Sequence, residues 1–193
     1  MDNMIPIRQQ IGGLGNLMFK QAYVYSQMRD GVIPDIYLQD EKYFRRYTGE
    51  IKLMFGAGII PNSIDKISLH VRRGDYINNS FYVPLFETDY YEKAMAEFPN
   101  EKFLVFCADN QGNDESDMMW CREHFKGEQF EFHIPKNETD DLNTMASCKG
   151  HIMANSSFSW WASYLGSGKT VAPERWFADG TQRVTLLDNW IKR

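Results

Sequence analysis

Two arginines, a histidine and an aspartate fall together in Ser68-Leu69-His70-Val71-Arg72-Arg73-Gly74-Asp75-Tyr76, directly after a short apolar run. Adjacent guanidiniums are costly to desolvate, so they sit against carboxylates or grip phosphate oxygens through paired hydrogen bonds. The stretch therefore reads as an anion site, with Gly74 allowing a tight turn and Asp75 able to orient or neutralise one arginine. A plain alternative is a buried Arg-Asp pair closing a strand end. A third reading takes Arg73-Gly74-Asp75 as an adhesion tripeptide, but such tripeptides recur by chance and no other feature looks extracellular.

Two further segments carry compatible chemistry. Gly12-Gly13-Leu14-Gly15-Asn16 would join a strand to a helix and let backbone N–H groups approach a ligand, with Asn16 as the N-cap. Taken alone, the segment fits a tight turn without a ligand better. Downstream, Asp141-Leu142-Asn143-Thr144-Met145-Ala146-Ser147-Cys148-Lys149 leads into Ala154-Asn155-Ser156-Ser157-Phe158-Ser159-Trp160-Trp161-Ala162. Ser156 and Ser157 at a first helical turn would add hydroxyls and free N–H groups to an anion cradle, or serve simply as a cap. Asp141 could accept hydrogen bonds near the same edge, or stabilise a helix start by about 0.3–1 kcal/mol. Trp160 and Trp161 read as core. The acidic run Asp109–Asp117 misses calcium-loop spacing, because Gly112 comes two positions too early, and reads as a solvated loop.

Positioning these residues calls for alternating strands and helices. Strands are predicted at Ile67–Val71, Lys102–Cys107, Phe130–Ile134, His151–Ala154 and Lys169–Ala172. Helices are predicted at Tyr90–Phe98, Ser116–Phe125, Asp140–Cys148 and Ser156–Leu165. That order implies a doubly wound parallel sheet, whose ligand lies at the carboxyl ends of the strands, where the loops after His70, Cys107, Ile134 and Ala154 meet. Residues 1–62 read as a small α/β lobe: strands at Ile7–Ile11 and Ile36–Leu38, a helix at Asn16–Met28, and a linker through Gly56-Ala57-Gly58 and Pro61-Asn62. Residues 63–193 form the second domain in this reading.

With 193 residues, 43% hydrophobic and 15% aromatic, the chain can bury one good core or two small ones. A net charge of −5 argues against nucleic-acid binding and confines any phosphate site to a local positive pocket. Three cysteines without ligand spacing suggest reduced thiols in a cytoplasmic protein. Neither a leader nor a membrane span is expected, which leaves at most peripheral membrane association, and the sequons at Asn78, Asn137 and Asn155 read as chance matches. Tyr43, Phe44, Tyr47 and Phe55 could cover a thin core or form a homo-oligomer surface.

The HVRRGDY stretch, the glycine turn and the DLNTMASCK…ANSSFSWWA segment together resemble the signatures of the family 11 glycosyltransferases, the α-1,2-fucosyltransferases that use GDP-fucose. Ala172-Pro173-Glu174-Arg175-Trp176-Phe177 is similar to the family's closing segment, whereas Leu17 departs from its usual glutamine. The resemblance covers almost all of residues 8–26 and 67–177. It implies a GT-B-like α/β fold with a Rossmann-type donor domain, an acceptor-side first lobe, and inverting fucose transfer to an oligosaccharide hydroxyl without a metal cofactor. It further implies that Arg72, Ser156 and Ser157 approach the donor pyrophosphate, alongside the Gly13, Gly15 and Asn16 turn, and that His70 and Asp141 contact the guanine. Arg73 joins the donor set with a partly structural task, paired to Asp75, and Asp75 is the nearest candidate base, although the arginines would make it a weak one. Family members run longer, chiefly in the acceptor lobe, so a donor-binding protein without turnover and a transferase of another nucleotide sugar stay open.

Overall fold

A computed structural model describes residues 13–30, 39–107 and 114–193. The strands expected at Ile7–Ile11 and Ile36–Leu38, together with Gly12 and most of the acidic run, lie outside the described residues.

Among the described residues, six strands form one parallel sheet: β1 (Ile64–His70), β2 (Phe103–Phe106), β3 (Phe130–Phe132), β4 (Cys148–Ile152), β5 (Lys169–Ala172) and β6 (Ile191–Lys192). Their spatial order is β3-β2-β1-β4-β5-β6, the doubly wound Rossmann-like arrangement, with the chain reversing direction across the sheet between β1 and β4. Helices α1 (Leu14–Asp30), α2 (Thr48–Phe55), α5 (Glu138–Ala146) and α6 (Ser157–Leu165) contribute to the core on one face; α3 (Tyr90–Ala96) and α4 (Asp114–His124) pack on the other. Strands covered on both sides must be apolar throughout, and β2, Phe-Leu-Val-Phe, is buried at every position.

Three expectations are corrected. The sequence reading gives about five strands; the sixth, β6, is only two residues long and too short to show a pattern. The fourth strand begins at Cys148 rather than His151, and α5 stops at Ala146. Gly150 disguises that strand: a side chain there would meet Ile67 Cδ1 at 2.9 Å and Phe98 Cε1 at 3.1 Å, so glycine serves close packing and not a turn. Finally, α1 starts at Leu14, which puts Asn16 inside the first turn instead of at the cap.

The α1 side of the core is aromatic. Trp160 and Trp161 are fully buried, as expected of core residues. Phe19 lies 4.6 Å from the first ring and 4.9 Å from the second, and Phe44 stacks on Trp161 at 5.6 Å. Tyr43, Tyr47 and Phe55 pack, partly buried, around the same cluster and so cover the core there. The segment after α2 is tied down where Ser147 Oγ accepts from the Ile60 amide at 3.3 Å and Ser147 O from the Ile64 amide at 3.1 Å. Cys107, Cys121 and Cys148 are buried free thiols.

Candidate functional site

A cleft of about 470 Å³ opens at the carboxyl ends of β1 to β4, across the point where the strand order reverses. Among the sequence-predicted residues it brings together Gly13, Gly15, Asn16, His70, Arg72, Asp75, Asp141, Ser156 and Ser157. Arg73 is the exception.

The arginine loop divides its labour. Arg72 Nε meets Asp75 Oδ1 at 2.7 Å and its Nη2 donates to Oδ2 at 2.9 Å, a two-point grip on the cleft rim. Arg73 turns away and donates to Asp117 Oδ1 at 2.8 Å, with its guanidinium near the Phe86 and Trp120 rings. The expected Arg73–Asp75 pair is therefore replaced by Arg72–Asp75, because Asp117 on α4 supplies a buried partner for the second arginine. The same carboxylate accepts from the Gly74 amide at 2.7 Å and so clamps the turn. Asp117 lies in a helix, as the predicted Ser116–Phe125 element has it, but it is buried, which corrects the reading of the acidic run through Asp117 as a solvated loop.

His70 ends β1 beneath this loop. Burial, with the Arg72 guanidinium as a second cause, holds its imidazole down to about 3, so the ring is neutral at ordinary pH. Its Nδ1 is buried with no hydrogen bond from the described residues, and its carbonyl accepts from Tyr91 Oη at 3.1 Å. The side chain can serve a ligand as a neutral polar group, not as a charge.

The N-termini of α1 and α6 converge at the cleft. Neither helix carries an acidic residue in its first turn. Ser156 is the N-cap of α6, accepting from the Phe158 amide at 3.3 Å, and Ser157 is the first helical residue. A Cβ on Gly15 would lie 2.6 Å from the Ser157 carbonyl carbon and 2.7 Å from the Phe158 nitrogen, so only glycine permits the two ends to touch. First-turn amides lack intrahelical acceptors and both macrodipoles are positive at these ends, which suits an anion.

Asp141 lies further along the cleft, on the β3 side. Asn137 caps α5 by accepting from the Asp140 amide at 2.9 Å, and this start places Asp141, buried, in the first turn. Its Oδ1 accepts from His133 Nε2 at 2.7 Å and from the Lys136 amide at 3.0 Å.

Sequence reasoning missed His133, Asp117, Asn155 and the stacked pair Tyr76 and Tyr82, whose rings are 4.2 Å apart. His133 was absorbed into a strand drawn to Ile134; β3 ends at Phe132, and a histidine just past a strand end was the available signal. Asn155 is wholly buried: its Nδ2 donates to Val83 O at 2.9 Å and Trp176 O at 3.0 Å, while its own carbonyl accepts from Tyr76 Oη at 2.9 Å. It stitches the cleft wall to the start of α6, and its sequon is inaccessible. No helix among the described residues is long and apolar enough to cross a membrane.

The sequence profile of glycosyl transferase family 11 matches residues 21–192. An O-antigen biosynthesis glycosyltransferase, WbnK, of Escherichia coli is 30% identical over 146 residues, covering 69% of this chain and 46% of the relative. An alpha-1,2-colitosyltransferase of Escherichia coli is 28% identical over 165 residues, covering 72% of this chain and 54% of the relative. The galactoside alpha-(1,2)-fucosyltransferase 2 of Rattus norvegicus is 29% identical over 114 residues, covering 54% of this chain and 31% of the relative. The chain thus spans about half, or less, of the length of these curated relatives. No solved structure matches it.

Proposed function

Because this chain belongs to glycosyl transferase family 11, we propose that its cleft binds GDP-fucose and supports inverting transfer of L-fucose to a sugar hydroxyl, forming an α-1,2 linkage. The observation that carries the proposal is the meeting of two helix N-termini with Arg72 at one part of the cleft and a buried carboxylate, Asp141, at another. A nucleoside diphosphate has matching chemistry: a doubly anionic group for the first and, in guanine, adjacent N–H donors for the second.

In this reading the acceptor hydroxyl attacks the sugar's anomeric carbon from the face opposite the diphosphate, the bond to the β-phosphate oxygen breaks, and the hydroxyl proton passes to a base or to solvent. Charge developing on the β-phosphate falls to Arg72 and to the first-turn amides of α1 and α6. Preorganised donors of this kind are worth most in the transition state, because they need no reorientation as charge appears. Asp75, gripped by Arg72 through both oxygens, is better suited to aiming the guanidinium than to collecting a proton. Gly13, Gly15 and Asn16 supply the close backbone approach; the oligosaccharide acceptor would enter from the Tyr76 and Tyr82 wall.

Colitosyl transfer is the second reading, favoured by the name of one relative. The test is calorimetry with GDP, GDP-fucose and UDP, followed by an assay of fucose release or transfer from GDP-fucose. GDP binding that UDP does not match, with fucose turnover, supports the first reading. GDP binding without fucose turnover favours another sugar or a binding-only role, and no nucleotide binding at millimolar concentration refutes the donor site.

A further inference from the structure

We propose that His133 is a positioning residue, which aims the Asp141 carboxylate so that its Oδ2 meets the donor nucleobase. The inference rests on the reading that this cleft takes a GDP-linked donor. An ionised carboxylate oxygen offers about two lone-pair sites. On Asp141, Oδ1 has both engaged, by His133 Nε2 at 2.7 Å and the Lys136 amide at 3.0 Å, and Oδ2 receives no hydrogen bond from the described residues. Rotation of the carboxylate would break both bonds at a position that is only 8% exposed, so the protein has chosen which oxygen faces the ligand.

His133 is itself held from two directions. Its amide donates to Val105 O at 2.9 Å, which continues the β2–β3 register one residue past β3. Its ring lies on Phe106 at 4.5 Å between centroids, tilted by 31°. The imidazole plane is thereby fixed before any ligand arrives, and all three side chains, His133, Phe106 and Asp141, line the cleft. Without the imidazole, the carboxylate keeps one tether, the Lys136 amide, and can swing between orientations. Preorganisation would be lost with little loss of packing, because a phenylalanine could occupy the same place on Phe106.

The effect should be confined to the base. His133 belongs to the β3 end of the cleft, whereas Arg72, Ser156 and Ser157 follow β1 and β4. The experiment is calorimetry of wild type, His133→Phe and His133→Gln with GDP and, separately, inorganic pyrophosphate, each variant checked for an unchanged melting temperature. His133→Phe is expected to weaken GDP by about tenfold and to leave pyrophosphate unchanged, while His133→Gln, which keeps an N–H donor, recovers most of the GDP affinity. In turnover the same loss appears as a raised KM for the donor with kcat nearly constant. GDP binding by His133→Phe equal to wild type, or a parallel fall in pyrophosphate binding, would overturn this inference and leave the donor site standing. Absence of GDP binding in the wild type would overturn the donor reading and this one together.

Discussion

Arg73 and Asp117 form a largely buried ion pair, Nη1 to Oδ1 at 2.8 Å, that takes the second arginine of the loop out of the cleft and fastens it to α4. Since the other Asp117 oxygen holds the Gly74 amide, one carboxylate sets both the direction of the turn and the side from which Arg72 emerges. The loop is thus a rigid mount for one half-buried guanidinium that lines the cleft.

Removal of that carboxylate leaves the Arg73 charge and the Gly74 amide without their acceptor. Asp117→Ala should lower unfolding free energy by about 3 kcal/mol, the usual scale for stripping one partner from a buried pair. Urea denaturation checks this, and a change under about 1 kcal/mol would mean that water replaces Asp117 at no cost.

Arg72 behaves oppositely. Its side chain is 35% exposed and that of Asp75 is 59% exposed, so their pair adds little to stability. Arg72→Ala should leave the thermal midpoint nearly unchanged while reducing transfer by about 10² to 10³. A variant that folds and retains most activity would remove Arg72 from the proposed diphosphate site.

Gly15→Ala drives a methyl group into the Ser157 and Phe158 backbone, where no side-chain rotation relieves the contact. The start of α1 should move away from α6, at a cost of about 1–3 kcal/mol, and pyrophosphate affinity should fall with it. Unchanged pyrophosphate binding in the folded variant would show that the touching helix ends do not form the anion site.

His151 is buried between Ser68 Oγ, 2.8 Å from Nδ1, and Ser167 O, 3.1 Å from Nε2. Burial, only partly opposed by the Ser167 carbonyl, brings it down from 6.5 to about 4. The unfolded chain therefore binds a proton more readily than the folded one. The stability contribution is full above pH 6.5, declines as pH falls from 6.5 to about 4, and levels off below, with a slope of up to about 1.4 kcal/mol per pH unit. Denaturation across that window should be shallower in His151→Gln than in wild type; equal slopes would show that His151 does not contribute to the acid sensitivity.

The local sequence was enough to determine several elements. A continuous apolar run fitted for burial on two sides marked β2, the Ser156 cap and Gly166 bounded α6, and the arginine pair with its following Gly-Asp announced an anion loop. These features depend on neighbours in the chain, so their periodicity and turn chemistry could be read directly. Gly150 and Asp117 mark where that reading stopped. Both follow from partners far away in sequence, Ile67 and Phe98 for the glycine, Arg73 and Gly74 for the aspartate.

The site shows the same division. Arg72 and Ser156 were legible as groups suited to an anion and Asp141 as a hydrogen-bond acceptor, while the nucleoside diphosphate was implied by the family resemblance. Tertiary structure alone decided which arginine faces the cleft, which oxygen of Asp141 is engaged, and that the starts of α1 and α6 touch through Gly15. Hydrogen-bond direction and close backbone approach are properties of pairs of segments brought together by the sheet order, and a single strand or helix carries no record of its partner's position.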